Sequence, residues 1–216
     1  MKFRAKLTDR MLGTNPGNDG MFEDWIKGKR DEMAEMAADE DCLGTVGEEV
    51  AKDTTIFRRD DEGYLCIPGY MIKGNLKSNG DTIRSRRAVG KTKDDKGKTP
   101  KSGWESWRSK VDNNVHIRPK LIRILKPSEN GTLEPIKTID GVVVRPLRAK
   151  TMQGERVSLA RSEYVAEGSV IEFEIINRGA GVVTDKQIIE CLEEGEFYGL
   201  GQWRNAGNGT FTVEML

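Results

Sequence analysis

No stretch of this chain approaches the roughly 18 apolar residues that a helical membrane span requires. Its first residues, Met1-Lys2-Phe3-Arg4-Ala5-Lys6-Leu7, are charged where a secretory leader is apolar. The expectation is a cytoplasmic protein with no membrane contact. Cysteine is scarce: Cys42, Cys66 and Cys191 lie far apart and form no C-x-x-C pair. That spacing offers neither a disulfide framework nor a zinc site, and it reads as reduced, buried thiols. A single histidine, His116, sits in a predicted strand, where a packed or surface role is the ordinary one. Net charge is absent too, with 35 Lys and Arg against 35 Asp and Glu, which argues against a uniformly basic nucleic-acid binder.

The zero hides an asymmetry. Asp19 to Glu62 carries a local charge of roughly −9, and Arg84 to Lys126 one of roughly +10. The two stretches either neutralise each other, within the fold or between copies, or leave a local positive surface. The length suits one domain over 1–216 with insertions at about 19–62 and 89–114.

Along the chain, Phe3 to Leu7 alternates as a half-buried strand does. Turn formers fill Leu12 to Asn18, and an acidic helix is predicted from Met21 to about Ala38. Thr54-Thr55-Ile56-Phe57 and Tyr64-Leu65-Cys66-Ile67 flank an acidic glycine turn and read as a hairpin. Tyr70 to Arg87 reads as a helix with Met71, Ile72, Leu76 and Ile83 inward. Gly74 and Gly80 weaken it by about 1 kcal/mol each, which implies close packing or close approach. Val89 to Asn114 has no clear period, carries Trp104 and Trp107, and reads as a long basic loop or protruding hairpin. Strands follow at Val115–Leu125 (broken at Pro119), Ile139–Leu147, Arg156–Leu159 and Ser169–Ile176. Thr184 caps a helix to about Glu194, with Ile188, Ile189 and Leu192 on one face; Thr210 to Met215 closes the chain as a strand. This order fits an α+β antiparallel sheet with helices on one face.

Between the last helix and strand lies Gly199-Leu200-Gly201-Gln202-Trp203-Arg204-Asn205-Ala206-Gly207-Asn208-Gly209. A dinucleotide fingerprint needs strand before helix, and here the order is reversed. Glycines in such a loop allow close approach to a phosphate backbone, with Trp203 offering a stacking face and Arg204 a cation. The alternative is a long turn with a buried Trp.

A C-terminal glycine-rich loop entering the last strand resembles the RAMP superfamily of CRISPR-associated proteins. Ile67-Pro68-Gly69-Tyr70-Met71-Ile72-Lys73-Gly74-Asn75-Leu76-Lys77 is similar to the segment that opens the first helix of that family's backbone subunits. Arg156-Val157-Ser158-Leu159, with Ser162 to Ser169 before a strand, resembles a third family segment. The chain also looks like small phage and prophage proteins sharing P-L-R-A-x-T-x-Q-G-E-R-V-x-L-A and G-x-G-Q-W-R-N-x-G-x-G. The resemblance implies a ferredoxin-like, RRM-like core, an inserted thumb-like hairpin and guide-RNA binding in an assembly of like subunits for antiviral defence. It assigns phosphate contacts to Lys73 and Lys77.

The expectation is therefore a binder of single-stranded RNA or DNA, RNA favoured, that self-associates or joins other RAMP-type subunits and uses no cofactor or metal. Phosphate contacts would come from Lys73, Lys77, Arg84, Arg86, Arg87 and Arg204, with Gly199, Gly201, Gly207 and Gly209 admitting the backbone. Trp104, Trp107 and Trp203 would stack bases. Two other readings stay open. One is a protein-interaction module or mimic acting through the acidic insert. The other is a ribonuclease using His116 or an early aspartate (Asp9, Asp19 or Asp24).

Overall fold

A computed structural model describes residues 1–16, 54–88, 103–151 and 154–216 of the chain. The predicted acidic helix at Met21–Ala38 and Cys42 lie outside them.

The first strand, β1 (Lys2–Leu7), turns Phe3, Ala5 and Leu7 into the core and Lys2, Arg4 and Lys6 the other way. That alternation places it at the centre of an antiparallel sheet. On one side it pairs with β12 (Val170–Asn177), in the register Phe3↔Phe173 and Ala5↔Ile171. On the other it pairs with β13 (Phe211–Met215), Leu7↔Phe211. Beyond β12 lie β7 (Val115–Arg118) and β8 (Leu121–Pro127), separated at Pro119 as expected. β8 in turn pairs with β6 (Leu65–Pro68) and β9 (Leu133–Pro135).

Among the described residues, three α-helices complete this layer: α1 (Gly69–Ala88), α2 (Trp107–Asn114) and α3 (Asp185–Tyr198). Ile72, Leu76 and Ile83 of α1 and Ile188 and Leu192 of α3 join the same buried cluster as Phe3, Ala5, Ile171 and Phe173. The helices therefore cover the apolar face. The order β13–β1–β12–β8, with α1 between β1 and the β7–β8 pair and α3 between β12 and β13, is the ferredoxin-like, RRM-like arrangement. On the opposite face Arg4 stands between Glu172 and Glu214, at 2.6 and 3.0 Å. The exposed face at the sheet centre is thus an ion-paired ladder rather than a row of aromatic rings.

α3 starts with a capping box, Thr184 accepting from the Gln187 N–H and Gln187 accepting from that of Thr184. Buried amides join it to α1. Asn79 Nδ2 donates to Asn75 Oδ1 (2.7 Å) and to the Cys191 carbonyl (3.0 Å), and Asn75 Nδ2 donates to the Gly199 carbonyl (3.1 Å). Cys66 and Cys191 are buried free thiols, and burial pushes both above the ordinary thiol range.

A second sheet holds β2 (Met11–Leu12), β3 (Asn15–Pro16), β4 (Thr54–Ile56), β10 (Gly141–Thr151) and β11 (Gly154–Val165). Two expectations change here. Thr54–Ile56 does not pair with the Tyr64–Ile67 run; it joins β11 in parallel, and the hairpin partner of β6 is β5 (Arg58–Arg59). Its β-branched residues fit either sheet, and only tertiary packing selects one. The expected basic loop or hairpin at 89–114 is described only from residue 103 onward, and its residues 89–102 lie outside the described residues. The long hairpin that is described lies elsewhere: it is β10–β11, paired from Gly141↔Tyr164 to Thr151↔Gly154. The described part of 89–114 includes helix α2, packed into the core by Trp107 and Val111.

Among the described residues, no helix is long and apolar enough to cross a membrane.

Candidate nucleic-acid interface

Helix α1 begins where β6 ends, at Pro68-Gly69-Tyr70. The Gly69 N–H donates to the Lys120 carbonyl (2.8 Å). A Cβ on Gly69 would lie 3.1 Å from the Pro119 carbonyl oxygen and 3.3 Å from the Ile117 side chain. The bare backbone lets the helix start directly against the turn between β7 and β8.

This junction leaves an open groove of about 520 Å³ at the N-terminal end of the helix. Arg58, Tyr70, Lys73, His116 and Lys120 line it, and no Asp or Glu is among the described residues that do. The first turn of α1 also has no acidic residue, so the partial positive charge of the helix start adds to that of the side chains. Tyr70 is 58% exposed, leaving its ring available at the surface. A concave, cationic site with an open aromatic ring suits phosphate and a stacked base.

The expected site residues divide sharply. Lys73 Nζ donates to the main-chain carbonyl of Asp112 at 3.0 Å, with the Asp112 carboxylate farther off at 3.9 Å. A carbonyl orients the ammonium without cancelling its charge. Lys77 is placed differently: it donates to both carboxylate oxygens of Asp112, at 3.0 and 3.3 Å.

The arginines of α1 have partners within the chain. Arg86 forms a forked pair with Glu194, and Arg87 pairs with Glu190, both on α3; Arg84 lies 3.9 Å from Asp81. The charges of Arg86 and Arg87 are matched in the fold, and both pairs tie α1 to α3, whereas Arg84 has only the longer contact.

Trp104 and Trp107 are each 1% exposed, with ring centroids 4.6 Å apart. Trp107 Nε1 donates to the Leu76 carbonyl at 2.9 Å. Both rings are taken up by the core, and neither has a face open to a base.

The glycine-rich loop is shaped chiefly by its own close contacts. A Cβ on Gly209 would fall 1.9 Å from the Leu200 carbonyl oxygen, and one on Gly201 2.6 Å from that of Leu12. Both residues also have positive φ, near +75° and +85°. Gly199 is crowded by the Asn208 and Gly209 backbone, and of the loop's expected glycines Gly207 alone faces open space. Trp203 and Arg204 do reach the surface at the loop tip, Trp203 being 43% exposed.

Sequence reasoning missed Arg58 and Lys120, and it did not connect Tyr70 and His116 to Lys73. Tyr70 lies three residues before Lys73, one helical turn, and that spacing was readable. Arg58 and Lys120 come from separate parts of the sheet, and no local pattern joins them.

No protein-family model and no curated protein matches the sequence. Among solved structures the chain is similar to the crystal structure of Cmr6 from Pyrococcus furiosus, at a TM-score of 0.43 and 12% identity, covering 99% of this chain and 97% of that one. At that level of similarity nothing about activity transfers.

Proposed function

We propose that the protein binds a single strand of nucleic acid, its phosphate backbone lying in the groove at the start of α1. The observation that carries this reading is the lining of that groove: Arg58, Lys73, His116 and Lys120, with no Asp or Glu among the described lining residues, beside the exposed ring of Tyr70. Lysine and arginine cations such as Arg58, Lys73 and Lys120 neutralise phosphates and read no bases, so binding is weakly selective in sequence and steeply salt-dependent. A single strand is favoured over a duplex because an unpaired base can turn onto Tyr70. RNA is favoured over DNA only by the family resemblance, which also motivates assembly with like subunits.

The test is fluorescence anisotropy of labelled single-stranded RNA and DNA across a salt series. Tight binding at low salt that falls steeply as salt rises, and that Lys73→Glu abolishes, supports the reading. Absence of binding to either strand at low salt removes it.

A further inference from the structure

Among the described residues, Arg145 of the second sheet has no carboxylate partner and is left with unpaired buried donors. Arg145, on β10, donates from one terminal nitrogen to Gln202 Oε1 at 3.1 Å. Its Nε and its other terminal nitrogen are buried and have no hydrogen-bond partner among the described residues. Burial lowers its pKa, as expected for a cation drawn out of water. Buried donors without partners are costly, so such a group is retained where it has another use. Here the guanidinium lies over the Trp203 ring, 4.8 Å from its centroid.

Trp203 itself is unusual. It adopts the left-handed conformation, φ 54° and ψ 38°, which is uncommon for a bulky residue. Backbone strain of this kind is held in place only by surrounding contacts. Those contacts are present: the Trp203 carbonyl accepts from Asn208 Nδ2 (3.2 Å) and from the Ala206 N–H (3.1 Å). Gln202 Oε1 accepts from Thr55 Oγ1 as well as from Arg145, and the Thr55 hydroxyl in turn lies 2.7 Å from that of the buried Ser162, which can donate to it. The result is a large aromatic ring backed by a cation, set at a fixed angle on an exposed loop tip.

A short stretch of chain links this position to the groove. Thr55 touches Gln202, and Arg58 lines the groove. The two are three residues apart, a span of at most about 10 Å of extended chain.

We infer that Trp203 is a second station for the same strand, stacking one base while the backbone runs through the Lys73 groove, and that Arg145 is the positioning residue that holds the ring. This rests on the single-strand reading above. Both stations act on one ligand, so affinity depends on strand length. A strand of roughly 4 nucleotides fills the groove, and one of roughly 15 reaches both stations.

The experiment uses the full chain with oligo-uridine and oligo-thymidine of those two lengths, following anisotropy and tryptophan emission. In the parent protein the longer strand binds about 10-fold more tightly and quenches emission. Trp203→Ala removes both effects and leaves binding of the short strand intact; Trp203→Phe keeps most of the gain. Arg145→Met lowers the quench and the length gain, and Arg145→Lys, which keeps a cation on the ring, restores them. If Lys73-dependent binding occurs but neither strand length nor Trp203→Ala alters it, the second station is overturned and the groove stands. If no strand binds at all, both readings fall together.

Discussion

The indole of Trp107 occupies the place where a side chain on Gly80 would begin: a Cβ there would lie 1.9 Å from Trp107 Nε1. Gly74, on the same helix, has nothing within 4 Å of that position. The two glycines of α1 therefore predict opposite outcomes. Gly80→Ala forces Trp107 out of its seat and destabilises by about 1–3 kcal/mol. Gly74→Ala gains helix propensity and stabilises by about 0.5–1 kcal/mol. Thermal melts of the two variants, moving in opposite directions from the parent, check this.

The Asn75–Asn79 pair is the polar joint between α1, α3 and the start of the glycine loop. Asn79→Ala removes two buried hydrogen bonds and leaves the Cys191 carbonyl and Asn75 Oδ1 short of a donor. The expected cost is about 1–3 kcal/mol, read by urea unfolding. The same substitution loosens the packing at Gly195, where a Cβ would stand 2.8 Å from Asn79 Nδ2.

Acid should weaken the fold through Asp140. Burial pushes its carboxyl up, but Lys126 Nζ, at 2.5 and 2.6 Å, and the Ala166 N–H, at 2.7 Å, outweigh burial and hold it below the ordinary range. Its folded pKa lies below the unfolded value near 4. Its stabilisation is therefore complete above that value and is lost as pH falls through the folded pKa. Asp140→Ala is expected to lower stability by about 1–2 kcal/mol at pH 7 and to flatten the acid limb of a melting-temperature profile.

The cations of α1 and its surroundings separate into two classes by salt dependence. Lys120→Gln and Arg58→Gln each remove a groove charge, so each lowers the salt slope of strand binding by about 1. Arg86→Gln removes a charge already paired with Glu194, so the slope holds and the loss shows in stability instead. Equal slopes for all three variants would refute the groove.

In the glycine loop, Gly209→Ala meets the Leu200 carbonyl and a positive φ, and it should destabilise the protein whatever it binds. Gly207→Asn, at an open position with φ near +85°, should cost much less, because Asn tolerates the left-handed region. Melting temperatures of the two variants decide the point.

Much of the core layer follows from local pattern. The alternation Phe3–Ala5–Leu7 and Ile171–Phe173–Ile175, the Thr184 cap and the break at Pro119 are readable because each depends on neighbours within a few residues. Gly80 announced a close approach, although no local pattern says that Trp107 makes it. The Ile67–Lys77 segment pointed to Lys73 by family resemblance, and Lys73 is one of the residues lining the groove at that helix start.

The remaining decisions belong to the tertiary structure. Whether a cation is available depends on which carboxylate the fold sets beside it, so Lys73, Lys77 and Arg86 look alike in sequence and differ in space. Whether a tryptophan is open depends on what packs over it, so Trp107 is core and Trp203 is surface. Periods, caps and breaks were determined by sequence alone, because these are local steric and hydrogen-bonding effects. Which charges are matched, which rings are covered and which strand Thr54–Ile56 joins were settled by contacts between residues far apart in the chain, and no local pattern encodes those.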